Sequence, residues 1–262
     1  MGENYDRDQG RRMCSLLSHR GPDAAGEWED GRQGIWLGHR RLSILDLSPG
    51  GHQPMVSARG RYVVTYNGEV YNYRCLREEL TRSGYIFKGE SDTEVVVNAI
   101  EAWGIEAAVS RFVGMFAFGL FDREESRLWL VRDRFGVKPL YFSQHKQEFA
   151  FASELRPLHL LPWVDQRIDQ AALAAYFRHL YVPAPATIFC GVKKLRPGTI
   201  VCWDGINLTE QQYWHPSEVA RSGLGNLTTC TFQESADELE QLLMESIGLR
   251  MQSDVPLGAF LS

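Results

Sequence analysis

Apolar residues in the first two-thirds of the chain come in short runs separated by turn-forming clusters, a spacing that predicts strands. The runs are "GIWLGHRRLSILDL" (34–47), "RYVVTY" (61–66), "GMFAFGLFD" (114–122), "RLWLVRD" (127–133), "KPLYF" (138–142) and "EFAFAS" (148–153). Pro49-Gly50-Gly51, "DREES" and "RDRFG" punctuate them. Two helices are predicted in between. The first covers 72–83, with Asn72 as N-cap, Leu76 and Leu80 four residues apart and Gly84 as the stop. The second opens on Ser91-x-x-Glu94, a capping-box spacing, and carries Val96, Ala99, Ile100 and Trp103 along one stripe. Strand runs with segregated helices imply an α+β layered fold rather than alternating βαβ units.

The pattern changes after Leu161. A proline-dotted stretch to Pro216 holds a predicted helix (169–180) and an "LRPG" turn leading into "TIVCW". Residues 217–230 are rich in Ser, Gly, Asn and Thr and read as a linker. Beyond them "SADELEQLLMESIGLRM" sets Leu239, Leu242, Leu243 and Ile247 at helical spacing behind a Ser235-x-x-Glu238 cap, and the sequence stops at "SDVPLGAFLS". This organisation gives a large first domain (1–214), a linker (215–233) and the start of a second domain (234–262).

Composition narrows the function classes. The chain has 262 residues, 44% of them apolar and 11% aromatic, ample for a core. A net charge of -5 with both signs interspersed leaves no basic stripe, so nucleic acid is not an expected partner and small molecules are. Six charges in the first twelve residues do not fit a secretory signal. No apolar run reaches the roughly 18 residues of a membrane span, so no membrane association and a cytoplasmic location are expected. The five cysteines, Cys14, Cys75, Cys190, Cys202 and Cys230, are odd in number and lack C-x-x-C spacing, so neither a disulfide framework nor a metal site is expected.

Individual motifs have plain explanations. Asn67-Gly68 in "YNGEVYN" is the strongest short hairpin signal. The alternative is that the Asn67 amide and the Gly68 N–H point together at a developing oxyanion, and one motif does not decide between them. "SDTE" is explained by helix capping, which leaves Asp92 interacting only with the helix N-terminus. "HRGPD" reads as a turn with proline at its second position, and "RDRFGVKPLYF" as a turn and strand.

Seven motifs in order, "HRGPDAAGEW", "LGHRRLSILDLSPGGHQPM", "YNGEVYNYRCLREEL", "SDTEVVVNAIEAWG", "GMFAFGLFD", "VRDRFGVKPLYF" and "FASEL", change that picture. Together they resemble the glutaminase half of glutamine-hydrolysing asparagine synthetase, a class II glutamine amidotransferase. The resemblance implies an Ntn-hydrolase-type four-layer αββα sandwich, followed by the first elements of an α/β ATP-pyrophosphatase domain. It implies that Arg41 pairs with the α-carboxylate of L-glutamine, a task suited to a bidentate guanidinium. Leu42, Ser43, Ile44 and Leu45 would line the same segment, Asn67 and Gly68 would form the oxyanion hole, and Glu69 and Asp92 would hold the α-ammonium. The implied chemistry is thiolate attack on the glutamine amide, a thioester, and ammonia passed to a second site, where ATP with Mg activates aspartate for amidation to asparagine. The family is often dimeric, so the resemblance allows a homodimer.

The chain departs from the family at both ends. The family's nucleophile is a cysteine exposed after methionine removal in M-C-G-I, its own α-amine serving as base with an ordinary pKa of about 7.7–8.0. Here the sequence opens Met1-Gly2-Glu3 and reaches His19 almost at once, so the opening strand and nucleophile are expected to be absent and a sheet edge exposed. Cys14 lies in "RRMCSLLSHR", where Met13, Leu16 and Leu17 have helical spacing, and it is expected to be structural. The resemblance implies that at most Leu261, whose family counterpart contacts ATP, and Ser262 remain of the ATP site. The chain as written is expected to be inactive in the parent reaction. Two alternatives stand beside this reading: a catalytically dead glutamine-binding or interaction module, and an amidotransferase acting on a sugar or secondary-metabolite carboxylate.

Overall fold

The computed structural model describes residues 6–43, 46, 48–251, 254–256 and 258. In chain order its elements begin with helix α1 (Arg7–Ser15), strands β1 (Ala24–Asp30), β2 (Ile35–Arg41), β3 (Met55–Val56) and β4 (Tyr62–Val70), and helices α2 (Tyr73–Arg82), α3 (Asp92–Trp103) and α4 (Ile105–Arg111). Strands β5 (Gly114–Asp122), β6 (Arg127–Arg132), β7 (Tyr141–His145) and β8 (Glu148–Ala152) follow, then helices α5 (Leu155–Leu158) and α6 (Gln170–His179). The chain continues through β9 (Lys193–Lys194), β10 (Thr199–Trp203) and β11 (Leu208–Gln212) to helices α7 (Pro216–Gly225) and α8 (Phe232–Arg250).

Strand β5 explains the layering. Its run "GMFAFGLFD" is buried from Phe116 to Asp122, so both of its faces are covered. Phe116, Phe118 and Leu120 point to one side, where they meet Leu76 and Leu80 of α2, Val96 and Ile100 of α3 and Val109 of α4. The alternate residues point to the other side. Ala117 packs with Leu140, Phe142, Phe149 and Phe151, and Phe121 packs with Leu37 and Trp28. Gly119 has no room for a side chain, because a Cβ there would collide with the Phe151 ring.

These contacts build four layers. Helices α2–α4 cover a six-stranded sheet of order β11-β10-β6-β5-β4-β3, antiparallel throughout. Its far face packs on a second layer made of the β1-β2 pair and the β8-β7-β9 sheet. A third apolar cluster, with Met13 of α1 and Leu155 and Leu158 of α5 against Tyr141, Ala150 and Ala152, closes the outside of that layer. The α+β sandwich is the arrangement implied by the motifs. Among the described residues β2 pairs only with β1 and β8 only with β7. Residues 35–38 of β2 and 148–151 of β8 flank a cleft of about 770 Å³ floored by Phe121 and Leu128.

Several local expectations shift. Strand β2 ends at Arg41 instead of running to residue 47, and Asp46 beyond it has φ 54°. Strand β4 does not stop at Tyr66. It continues through Asn67 and Gly68, which oppose Ala117 and Phe116, because β5 offers nine residues of ladder and pairing overrides the local turn preference. Residues 138–140 lie outside β7, since the Asp133 carboxylate gathers the N–H groups of Phe135, Val137 and Lys138 into a turn.

Capping also differs in places. Ser91 caps α3, accepting from the Glu94 N–H, as its spacing suggests. The Asn72 side chain instead bridges the Arg111 carbonyl and the Val113 N–H. The stretch read as a linker carries α7, started by Pro216 in the first turn and a His215 cap. Helix α8 begins earlier than its serine suggested, on a capping box of Thr231 and Glu234.

Candidate functional site

Where β2 and β8 pass the end of β4, the layers part around a cavity of about 370 Å³. Arg41, the last residue of β2, lies on one wall and Asp92, the first residue of α3, on another, with Asn67, Gly68 and Glu69 of β4 between them. Residues far apart in sequence thus share one cavity because β4 is the common neighbour of β2, β5 and α3.

The backbone of β4 sets the direction of the Gly68 N–H. The Tyr66 N–H donates to Gln53 Oε1 at 2.7 Å and the Val70 N–H to Asp92 Oδ2 at 2.9 Å. N–H groups two residues apart in a strand point the same way, so that of Gly68 lies between these two, away from β5. Glycine is required there, since a Cβ would run into the Met115 carbonyl and Phe116. The neighbouring Asn67 Nδ2 is buried and finds no hydrogen-bond partner among the described residues. Asn67 and Gly68 both line the cavity.

The charged groups are arranged around those donors. Arg41 Nη1 donates to the Ser48 carbonyl at 3.0 Å and Nη2 to the Asp46 carbonyl. Asp92 Oδ2 also accepts from the Tyr66 hydroxyl at 2.8 Å. Burial pushes the Asp92 carboxyl up to about 6, against the Val70 and Tyr66 hydrogen bonds that favour its ionised form. Half-burial raises Glu69 as well, and Lys138 on the same cavity opposes that shift.

The remaining expected residues divide. Leu42 lines the cavity and is 55% exposed. The Ser43 N–H donates to Asp23 Oδ2 at 2.8 Å, which ties it to the "HRGPD" turn and leaves it off the lining. Ile44, Leu45, Leu261 and Ser262 lie outside the described residues. Cys14 is half-buried on α1, its thiol pushed up by burial, and it does not line the cavity. His19 and Arg20 both pair with Glu154 of "FASEL", at 2.9 and 3.3 Å, joining two motifs beside the cavity. Among the described residues no group of His, Cys, Asp and Glu could hold a metal ion, and no helix is long and apolar enough to cross a membrane.

Two contributors had no assigned role in the sequence. Lys138 reaches the cavity from the turn that Asp133 organises. His39 lies on β2 with Nε2 3.1 Å from the Tyr66 carbonyl, a contact that requires the Nε2–H tautomer to donate. Burial holds this imidazole down at about 4, against the Tyr66 hydrogen bond, so it is neutral near pH 7. "GHRR" and "KPLYF" mark these positions, but only the tertiary contacts give them a task.

A glutamine amidotransferase domain model matches residues 2–214. The chain belongs to the glutamine amidotransferase family. Its relatives include asparagine synthetase [glutamine-hydrolyzing] 1 of Bacillus subtilis, 37% identical over 256 residues that make up 96% of this chain and 38% of the relative. A putative asparagine synthetase [glutamine-hydrolyzing] of Mycobacterium tuberculosis is 38% identical over 264 residues, 96% of this chain and 40% of the relative. The chain thus spans about two-fifths of the length of these relatives. Among solved structures, the allosteric regulatory enzyme of purine biosynthesis shares the fold, with a TM-score of 0.50 and 19% identity over 68% of this chain and 34% of that one. The family inferred from the ordered motifs is the family found.

Proposed function

We propose that the cavity binds L-glutamine and polarises its side-chain amide for hydrolysis, as the glutaminase half of an enzyme that amidates aspartate to asparagine at the expense of ATP. The observation that carries this reading is the placement of Arg41, Asn67, Glu69 and Asp92 around one cavity. A zwitterionic amino acid needs a cation for its carboxylate and anions for its ammonium. In this reading Arg41 takes the α-carboxylate, with Leu42 and Ser43 in the adjoining segment, and Asp92 and Glu69 take the α-ammonium. The side-chain carbonyl then lies at Asn67 Nδ2 and the Gly68 N–H, which stabilise the oxyanion formed on attack.

Attack itself calls for a thiolate, which adds to the amide carbon. The tetrahedral intermediate then expels ammonia, and water cleaves the thioester to glutamate. No cysteine among the described residues lines the cavity. We infer that the thiol reaches the cavity on a strand filling the cleft between β2 and β8. Residues 1–214 form the amidotransferase domain in this reading, 215–233 the connection and 234–262 the start of the synthetase domain, where Leu261 and Ser262 belong to the ATP site. All five cysteines are free, which fits a reducing cytoplasm.

Calorimetry with L-glutamine, run beside an assay for glutamate release, tests the proposal. Saturable binding that Arg41→Ala and Asp92→Asn each weaken is the expected result. Binding without glutamate release assigns this chain a glutamine-binding role only, and no binding in a folded protein overturns the reading.

A further inference from the structure

The segment after α8 returns to the glutamine cavity. Asp254 Oδ2 accepts from the Asp46 N–H at 2.8 Å, across 208 residues of sequence. Asp46 is buried and holds a left-handed φ of 54°, a conformation that aspartate adopts more readily than most residues and that its hydrogen bonds fix here. Every polar part of Asp46 is engaged. Its carbonyl accepts from Arg41 Nη2, and Oδ1 accepts from the Ser48 N–H at 3.0 Å and from the Ser48 hydroxyl. Oδ2 accepts from the Glu90 N–H at 2.9 Å, just ahead of α3. Asp46 therefore joins the Arg41 wall, the approach to Asp92 and the end of α8.

A second contact from the same region reaches the residue just past the end of β4. The Arg250 guanidinium, in the last turn of α8, lies 4.8 Å from the centroid of the Tyr71 ring. Tyr71 follows Val70, whose N–H holds Asp92. Helix α8 exposes Leu239, Leu242, Leu243 and Ile247, each more than half accessible, so this helix has an open apolar stripe at one end of a direct route to the cavity.

We propose that Asp254 is a positioning residue of the glutamine cavity: by fixing the Asp46 backbone conformation from its N–H it orients the Asp46 carbonyl and with it the Arg41 guanidinium, so that the placement of the α8 end governs recognition of the substrate α-carboxylate. The route is short. Moving Asp254 releases the Asp46 N–H, Asp46 can then leave its left-handed conformation, and its carbonyl turns away from Arg41. The substrate side of this proposal rests on the assignment of Arg41 to the glutamine carboxylate, whereas the Asp254–Asp46 contact does not.

The test is a ligand-by-variant cycle on the full chain. Asp254→Ala is expected to weaken L-glutamine binding roughly tenfold, the scale of a hydrogen bond to a charged group. Asp254→Asn, whose side-chain carbonyl still accepts from Asp46, is expected to recover most of that loss. The deciding comparison uses 4-aminobutanamide, which is glutamine without its α-carboxylate. Asp254→Ala should leave its binding unchanged, because no group on it answers to Arg41. An equal loss for both ligands, with no recovery in Asp254→Asn, overturns the proposal. Amide chemical shifts of the ligand-free protein supply the separate readout. The Asp46 amide should move in Asp254→Ala whether or not glutamine binds. An unmoved Asp46 amide refutes the contact, while a moved amide in a protein that binds no glutamine refutes only the glutamine assignment.

Discussion

The Tyr66 hydroxyl and the Asp92 carboxylate meet at 2.8 Å beneath the cavity, 26 residues apart in sequence. Asp92 is buried and its carboxyl stands at about 6, so near neutrality it is ionised and below pH 5 it is largely protonated. Only the ionised form attracts an ammonium group. Glutamine affinity should therefore rise as pH increases from 5 to 7, and the profile should flatten in Asp92→Asn. Tyr66→Phe removes a hydrogen bond that favours the carboxylate, so it should move the midpoint of the profile to higher pH. Calorimetric titrations at half-unit pH steps measure both effects, and a midpoint that moves to lower pH in Tyr66→Phe rules the relation out.

Asn67 offers the opposite kind of contrast. Its buried Nδ2 has no partner among the described residues, so removing it relieves an unsatisfied donor. Asn67→Ala should keep or slightly raise the melting temperature while weakening glutamine binding about three- to tenfold, the range of one neutral hydrogen bond. Melting curves with and without glutamine check this. A variant that loses about 2 kcal/mol of stability would instead place Asn67 among packing residues.

These two residues show what the sequence could and could not reveal. Asp92 was visible through its motif, and the Ser91 cap that starts its helix was readable from local spacing. Asn67 and Gly68 were visible as candidates, but their local signal was a hairpin turn. Their place inside β4 depends on pairing with Ala117 and Phe116, about fifty residues away, and local propensity carries no record of such a partner. The same holds for His39 and Asp46. A histidine inside a strand pattern looks solvent-facing until the Tyr66 carbonyl and the surrounding layers enclose it. The left-handed Asp46 sits in a segment whose apolar pattern predicted continued strand, and its hydrogen bonds come from residues on three separate parts of the chain. Pattern located the layers and motif order located the cavity, while the groups that hold the cavity in shape are defined by contacts between distant segments.

Among the described residues β2 and β8 each leave one edge unpaired, which leads to a structural prediction. Both strands run toward the Arg41 end of the cleft, residues 35–41 on one side and 148–152 on the other, so one strand antiparallel to both could pair with each. Gly10 and Met13 of α1 lie on one side of the cleft, and Phe121 and Leu128 on another. A peptide there should be apolar on both faces, and its amino terminus should fall at the Asn67 end. A synthetic heptapeptide of alternating Val and Ile is expected to bind saturably and to raise the melting temperature with concentration. Proline at its centre should abolish the effect by removing a ladder donor and fixing φ. Equal binding of the proline peptide would argue for simple apolar adsorption.

His39 and Asp92 carry opposed pH dependences, which makes their combination testable. The His39 value is depressed from 6.5 to about 4, so the stability it contributes is present above pH 6.5 and is lost as pH falls toward 4. The Asp92 value is raised from 3.8 to about 6, so its contribution is present below pH 3.8 and is lost as pH rises toward 6. Each shift corresponds to about 3 kcal/mol over nearly the same interval, and the two run in opposite directions. From these two groups the unmodified chain should show little net slope between pH 4 and 6. Asp92→Asn leaves His39 alone, so stability should climb with pH across that interval. His39→Gln leaves Asp92 alone, so stability should decline across it. Urea unfolding of both variants at pH 4.2, 5 and 6 measures the slopes, and two variants with slopes of the same sign would contradict the pairing.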